Sequence, residues 1–215
     1  MTYAEYRARV ERLAAGMLAL GIQPGDRVGI WAPNCAEWCL TQVATAKIGV
    51  ILVCINPAYR VFELEYALWQ SGCKAIVTAE RFKSSHYLEM LRQLVPELDR
   101  CVPGQLASER LPELTTVIRM GEDEAPGMFN FARVLAAAEA EDFVRLRQIE
   151  PALSPRDEIN IQFTSGTTGN PKGAALTHYN ILNNANQVAA GMNFTENDRL
   201  CIPVPMYHCF GMVLG

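Results

Sequence analysis

The chain has 215 residues, of which 50% are hydrophobic and 20% are charged, and its formal net charge is −4. This hydrophobic content excludes intrinsic disorder, and the length suits one large domain or two small ones. Without a run of Lys and Arg, the acidic balance excludes the surface that binds nucleic acid. The longest apolar stretch, residues 48–55, is much shorter than the ~20 residues that cross a bilayer. We expect no nucleic-acid partner and no transmembrane segment.

The first 120 residues alternate between helical and strand patterns. An apolar stripe at helical spacing, formed by Tyr6, Val10, Leu13, Ala14 and Met17, predicts the first helix. Strands that are apolar without alternation indicate a parallel sheet covered on both faces. The remaining predicted helices are 37–47, 63–70 and 86–98, and the predicted strands are 27–31, 51–55, 74–78 and 116–120.

This alternation predicts an α/β fold in which residues 1–150 form a doubly wound, largely parallel sheet. A further helix is expected over 131–143. Residues 151–215 are interpreted as the start of a second α/β lobe, with a Pro-containing linker at 151–155. The first strand-to-helix turn, residues 31–34, lacks the G-x-G-x-x-G fingerprint, so the sheet gives no indication of NAD binding.

The cysteines and the chain ends bear on compartment and completeness. Seven cysteines without a C-x-x-C pair are typical of free, buried thiols in a reducing compartment, and we predict no metal site. The N-terminus shows no secretory signal, which favours the cytoplasm, while the mitochondrial matrix stays open if a leader has been removed. The apolar run 206–215 breaks off without a polar tail, so we expect a longer protein.

The most informative segment is a loop of hydroxyls and glycines that follows the apolar strand 159–163. Residues 164–169 read Thr-Ser-Gly-Thr-Thr-Gly, and Lys172 stands at the far end. Glycines let backbone N–H groups turn towards an anion, hydroxyls donate hydrogen bonds to phosphate oxygens, and Lys supplies a positive charge. The pattern therefore predicts a phosphate-binding loop.

Two other loops of similar composition are excluded by their spacing. The Walker A loop requires Gly-Lys followed by Ser or Thr, whereas Lys172 lies between Pro171 and Gly173. The hydrolase elbow G-x-S-x-G fails because Phe163 stands two residues before Ser165. The loop is therefore neither that of a P-loop kinase or GTPase nor a hydrolase nucleophile turn.

The string FTSGTTGNPKG at 163–173 resembles the phosphate-binding signature of the AMP-forming adenylating enzymes, which include acyl-CoA synthetases, luciferases and peptide-synthetase adenylation domains. LTHYNI at 176–181 and PMYHCFG at 205–211 resemble the motifs that follow it in this family. NPAY at 56–59 with Glu-Leu at 63–64, and GDRV at 25–28, resemble the fatty-acyl-CoA synthetase branch. The likeness is colinear over the whole chain and is weakest between 103 and 152.

The resemblance implies that the chain is an incomplete N-terminal AMP-binding domain of an acid–thiol ligase. In this family ATP and a carboxylate form an acyl-adenylate and pyrophosphate, and coenzyme A then takes the acyl group. The implied ligands are ATP, Mg²⁺, coenzyme A and a fatty acid of medium or long chain, or a related carboxylate. Seven residues would hold the β- and γ-phosphates: Thr164, Ser165, Gly166, Thr167, Thr168, Gly169 and Lys172.

The three histidines receive different roles. By resemblance, His208 is expected to orient the acyl carboxylate; the alternative is a helix-start histidine bonded to backbone. His178 follows Thr177, an expected helix N-cap, and we favour a structural role for it. His86 stands at the start of the helix predicted over 86–98 and is expected at the surface. The Met, Tyr and Phe within 206–210 would line an acyl pocket or belong to the core.

The family's later motifs, which bind adenine and ribose and supply a catalytic Lys, do not occur in these 215 residues. We therefore expect the C-terminal subdomain to be absent and the chain to be inactive alone. Two alternatives stay open: a non-enzymatic fragment that binds partners or nucleotide, and an aryl-acid ligase or peptide-synthetase domain. Peripheral membrane contact is compatible with the family, and the sequence indicates no oligomeric state.

Overall fold

The computed structural model describes residues 1–164 and 170–213. Its helices are α1 (Tyr3–Ala19), α2 (Ala36–Lys47), α3 (Val61–Ser71), α4 (Tyr87–Leu94), α5 (Phe131–Ala136), α6 (Ala140–Ile149), α7 (His178–Gly191) and α8 (Cys209–Val213). Its strands are β1 (Arg27–Trp31), β2 (Ile51–Cys54), β3 (Ala75–Thr78), β4 (Arg81–Phe82), β5 (Ser85–His86), β6 (Thr116–Arg119), β7 (Phe129–Asn130), β8 (Glu158–Phe163) and β9 (Gly173–Thr177).

Seven of the strands in the described part of the chain form one sheet in the order β7-β6-β3-β1-β2-β8-β9, and β4 and β5 form a small hairpin. All neighbours in the large sheet are parallel except β8 and β9, which are antiparallel. In the central strand β1, Val28 lies opposite Leu52 on one side and opposite Ala75 on the other. The predicted α/β fold with a mainly parallel sheet is confirmed.

Helices cover both faces of this sheet. Alternate residues of β2 show the two sides, because Leu52 and Cys54 join the apolar cluster formed with α1, α2, α5 and α6, whereas Val53 joins the cluster formed with α3 and α4. All three are buried. A strand buried on both faces has no polar side, which explains the continuous apolar run that the sequence shows here.

The strand that opens the second predicted unit joins the same sheet. β8 pairs in parallel with β2, with Leu52 opposite Asn160 and Cys54 opposite Gln162. Residues before and after position 150 therefore share one hydrogen-bonded sheet. The division into units at about 1–150 and 151–215, and the absence of a C-terminal subdomain, stay predictions.

The helix predicted over 86–98 is wrong after residue 94. α4 ends at Leu94, and a 3₁₀ turn, Pro96–Arg100, follows it. Proline cannot donate a backbone hydrogen bond, and it forces the preceding residue out of the helical region. Val95, with φ −130° and ψ 79°, has that non-helical backbone.

The single helix predicted over 131–143 is also wrong, because α5 ends at Ala136 and α6 begins at Ala140. Glu139 starts the second helix, and its backbone N–H donates to the Asp142 carboxylate at 3.1 Å. This side-chain acceptor satisfies an N–H group that would otherwise need a partner outside the helix. Both short helices pack against α1.

The stripe predicted for the first helix is confirmed. Val10, Leu13, Ala14 and Met17 are buried, and the Tyr6 hydroxyl donates to the Cys39 carbonyl oxygen at 2.7 Å. α1 thus presents the predicted apolar face to α2, α5 and α6, whose side chains complete this cluster.

Gly16 provides a test of this packing. It is buried on α1, and a Cβ at this position would collide with the backbone carbonyl of Val134 in α5. We expect Gly16→Ala to lower the free energy of unfolding by about 1–3 kcal/mol, the usual cost of overpacking. Gly191→Ala is the control, because no described atom outside its chain neighbours and the nearby backbone of its own helix lies within 4 Å of its added Cβ. Thermal unfolding measures both, and equal melting temperatures would contradict the close approach.

Candidate functional site

The predicted phosphate-binding loop starts at the edge of the sheet where the parallel strands end. β1, β2, β3, β6 and β8 run in the same direction, so their carboxyl ends lie along one edge. Asn34 follows β1, the Asn-Pro pair at 56–57 follows β2, and Thr164 follows β8. Ligands of open α/β sheets bind at this edge, and Thr164, where the predicted loop begins, lies there.

The hairpin of β8 and β9 closes the base of the loop. Phe163 lies opposite Gly173, and the Thr164 N–H donates to the Lys172 carbonyl oxygen at 2.9 Å. The Thr164 hydroxyl donates to the same oxygen at 3.3 Å. Two of the predicted phosphate ligands, Thr164 and Lys172, are thus adjacent. The other five, Ser165, Gly166, Thr167, Thr168 and Gly169, lie outside the described residues.

The Lys172 side chain is accessible. The residue is exposed, and within 1–164 and 170–213 its ammonium group makes no salt bridge. Its backbone is held by Thr164, whereas its charge faces solvent. An accessible cation on a fixed backbone suits an incoming anion such as phosphate.

A residue that the sequence did not identify also holds this end of the loop. The Tyr66 hydroxyl, on α3, donates to the carbonyl oxygen of Pro171 at 3.1 Å, and the Tyr66 ring lies 6.5 Å from the Phe163 ring. Both contacts fix the residues that flank the loop. Tyr66 and Pro171 are 105 positions apart, so no local pattern could have revealed the pair.

His208 lies immediately before α8, and its ring is bonded to the start of that helix. The Phe210 backbone N–H donates to His208 Nδ1 at 3.1 Å. A neutral imidazole that accepts at Nδ1 carries its proton on Nε2. Because His208 is exposed, this Nε2–H is available to a ligand. No hydrogen bond among the described residues joins His208 to Thr164 or Lys172.

The side chains around His208 divide between core and surface. Met206 and Tyr207 are half-buried against the cluster of α1 and α2, whereas Phe210 is 51% exposed. Phe210 lines an open cleft of about 600 Å³ between β9, α7 and α8, with Leu176 and Ile181 on the opposite wall. Met206 and Tyr207 therefore contact the core, and the acyl-pocket role of this segment stays a prediction.

Comparison with known proteins decides the family. The family of AMP-binding enzymes matches residues 1–215. The chain belongs to the AMP-binding enzyme family. The matched range includes the loop string at 163–173 and the aromatic-His segment at 205–211.

Relatives of this AMP-binding chain include the medium-chain acyl-CoA ligase ACSF2, mitochondrial, of Danio rerio, which is 49% identical over 100% of this chain and 36% of its own length. The protein of the same name from Homo sapiens is 45% identical with the same coverage. The long-chain-fatty-acid-CoA ligase FadD1 of Archaeoglobus fulgidus has a similar structure, with a TM-score of 0.75, 26% identity, and coverage of 99% of this chain and 37% of that one. The chain spans about a third of the length of these proteins.

The other two histidines lie at, or next to, the start of a helix. Thr177 is the N-cap of α7 and forms a capping box with Asn180. His178 is the first residue of that helix; burial lowers the pKa of its ring, and Asp157 partly opposes this. Its Nε2 is buried and has no partner within the described part of the chain. His86, before α4, is exposed as predicted.

The cysteines are all free. Burial raises the pKa of Cys54 and Cys73 to about 12, so these two thiols stay protonated at neutral pH. Cys201 and Cys209 are exposed, which corrects the expectation of buried thiols at these two positions. Over 1–164 and 170–213, no group of three or more His, Cys, Asp or Glu side chains could hold a metal ion, and no helix has the length and apolar content to span a membrane.

Proposed function

We propose that this chain is the N-terminal part of an ATP-dependent acyl-CoA ligase that activates a fatty acid, with a medium-length chain favoured. The observation that carries the proposal is the backbone hydrogen bond between Thr164 and Lys172. This bond fixes the Lys172 backbone at the carboxyl edge of the sheet, while the Lys172 ammonium stays accessible. The named activity of the Danio rerio relative, which matches the whole of this chain, supports the same reaction. It also supports the shorter of the two chain lengths that the motifs implied.

In this proposal, the loop binds the β- and γ-phosphates of ATP. The backbone and hydroxyl donors of residues 164–169 and the Lys172 ammonium neutralise charge on the phosphate oxygens. Such donors act most strongly where charge develops during the reaction. When these donors stabilise the negative charge that develops on pyrophosphate, it becomes a better leaving group. Attack at the α-phosphorus is then faster.

The proposed reaction has two steps. In the first, a carboxylate oxygen attacks the α-phosphorus of ATP, a new O–P bond forms, and the bond to pyrophosphate breaks. In the second, the thiol sulfur of coenzyme A attacks the acyl carbon, AMP leaves with the bridging oxygen, and the thiol proton passes to solvent. We assign His208 to the first step, in which its Nε2–H donates to the carboxylate and orients it.

Mg²⁺ and coenzyme A belong to the same proposal. Mg²⁺ would offset the negative charge of the phosphates. No group of three or more acidic, His or Cys side chains among the described residues could hold the ion, and no residue is assigned to it. The names of the Danio rerio and Homo sapiens relatives include "mitochondrial", which supports a mitochondrial location over the cytoplasm. The carboxylate is the proposed partner of the site.

The test is release of AMP by the full-length protein, supplied with ATP, coenzyme A and unbranched carboxylic acids of increasing length, with benzoate and anthranilate as aryl acids. We expect the highest kcat/KM with acids of medium length. A preference for the aryl acids would contradict the fatty-acid assignment. No AMP release with any acid would overturn the ligase and favour the non-enzymatic alternative.

The isolated 215-residue chain is the control in the same experiment. We expect it to show no ATP–pyrophosphate exchange with any acid, because the motifs for adenine, ribose and the catalytic Lys are not in its sequence. Exchange above background would contradict this expectation.

A further inference from the structure

The turn that follows β1 has no role in the proposed reaction, yet it lies at the carboxyl edge of the central strand. Its sequence, Trp-Ala-Pro-Asn at 31–34, excludes a dinucleotide fingerprint and suggests only a break in the strand. In the structure, Asn34 reaches a segment about 170 positions further along the chain. That segment leads directly into His208.

The Asn34 side-chain amide forms two hydrogen bonds with this segment, one as donor and one as acceptor. Its Nδ2–H donates to the Val204 carbonyl oxygen at 2.8 Å, and the Met206 backbone N–H donates to its Oδ1 at 2.8 Å. The two bonds fix the orientation of the amide, because a carbonyl can only accept and a backbone N–H can only donate. A side chain that offers a donor and an acceptor at this reach imitates the edge of a neighbouring strand.

A second contact holds the same segment to the core. Met206 is half-buried in the cluster of α1 and α2, and its Sδ lies 3.6 Å from the Cys39 Sγ of α2. Asn34 therefore fixes the backbone of residues 204–206, and the Met206 side chain anchors this segment to the core. The segment is located by two elements of the first 50 residues.

The fixed segment continues rigidly to His208. The His208 N–H donates to the Pro205 carbonyl oxygen at 3.2 Å, and the Met212 N–H donates to the His208 carbonyl oxygen at 3.1 Å. Gly211 packs so closely on Pro205 that an added Cβ would lie 2.5 Å from the same Pro205 oxygen. Since the Phe210 N–H also fixes the imidazole ring, the position of residues 204–206 determines where His208 Nε2 points.

We propose that Asn34 is a positioning residue for His208: by holding Val204 and Met206, it sets the imidazole at the place where the carboxylic acid substrate is bound. This proposal rests on the role assigned to His208 under the proposed function. It makes Asn34 specific to the acid, since its contacts lead to the His208 segment and not to Lys172.

The test compares single and double variants of the full-length protein. We expect Asn34→Ala to lower kcat/KM for the carboxylic acid roughly tenfold, through two lost hydrogen bonds, and to leave KM for ATP unchanged. If Asn34 acts through His208, the two effects are not additive. Asn34→Ala should then cause little further loss in a protein that already carries His208→Ala.

Asn130→Ala is the matched control. The Asn130 amide also bridges backbone groups, since its Nδ2–H donates to the Gly121 carbonyl oxygen and its Oδ1 accepts from the Ala132 N–H. It lies at β7, on the opposite end of the sheet from β8 and β9. We expect it to lower the melting temperature without changing KM for either substrate.

Hydrogen exchange of the backbone at 204–208 separates this proposal from the proposed function. We expect faster exchange in Asn34→Ala than in the wild type, whether or not the protein is a ligase, and an unchanged rate would overturn the positioning role. Faster exchange with unchanged acid kinetics, or additive losses in the double variant, would also overturn it. A wild type that activates no acid would overturn the proposed function, and the exchange rates would still decide whether Asn34 holds the segment.

Discussion

Replacement of Lys172 by alanine is expected to lower kcat/KM for ATP in the full-length protein roughly 10- to 100-fold, because a hydrogen bond to a charged group contributes about 1.5–3 kcal/mol. The ammonium is exposed and makes no salt bridge among the described residues, so its removal leaves no unpaired charge behind. We therefore expect an unchanged melting temperature. The loss should appear as a higher KM for ATP or a slower adenylation step, measured by ATP–pyrophosphate exchange.

Lys83→Ala provides the matched control for this prediction. Lys83 is also exposed, and its ammonium lies 5.3 Å from the centre of the Phe82 ring, at the β4–β5 hairpin. The two variants lose the same charge from the protein, so a general electrostatic effect on ATP would appear in both. An unchanged KM and rate for Lys172→Ala, or equal losses in both variants, would mean that Lys172 does not contact phosphate.

The strands that build the sheet were predictable because burial on both faces leaves a continuous apolar run. The ends of β1 match the sequence pattern at both residues, Arg27 and Trp31. β7 escaped prediction because two residues, Phe129–Asn130, carry no periodic signal. β9 escaped because its residues 173–175 are exposed on the sheet edge, so no burial pattern marks it. The helix predicted over 86–98 ran too far because its apolar periodicity continues past Pro96, the local signal that ends α4.

The candidate site shows a similar division. The loop was recognisable because its donors are consecutive in sequence, and Thr164 and Lys172 do meet. The residues that locate the site could not be recognised in this way. Tyr66 meets Pro171, and Asn34 meets Val204, only after the sheet has brought distant segments together. A tyrosine or an asparagine alone has no signature for a carbonyl oxygen that lies more than a hundred positions away.

Replacement of His208 by alanine is expected to lower kcat/KM for the carboxylic acid roughly 10- to 100-fold, since its Nε2–H would donate to a charged carboxylate. KM for ATP should not change, because no described hydrogen bond links His208 to Thr164 or Lys172. His86→Ala is the control at an exposed histidine. His178→Ala removes a ring that is partly buried on α7, and it should alter the melting temperature without altering KM for the acid.

A further variant, His208→Asn, distinguishes a substrate contact from a purely structural role. His208 already satisfies one backbone N–H, that of Phe210, so alanine removes this contact together with the Nε2 donor. Asparagine is a favoured residue before a helix because its oxygen accepts from the first backbone N–H groups, but its shorter side chain does not reach the position of Nε2. If His208 only started α8, the Asn variant would retain wild-type kinetics. We expect it to retain the melting temperature and to lose activity towards the acid almost as far as the alanine variant, measured by AMP release.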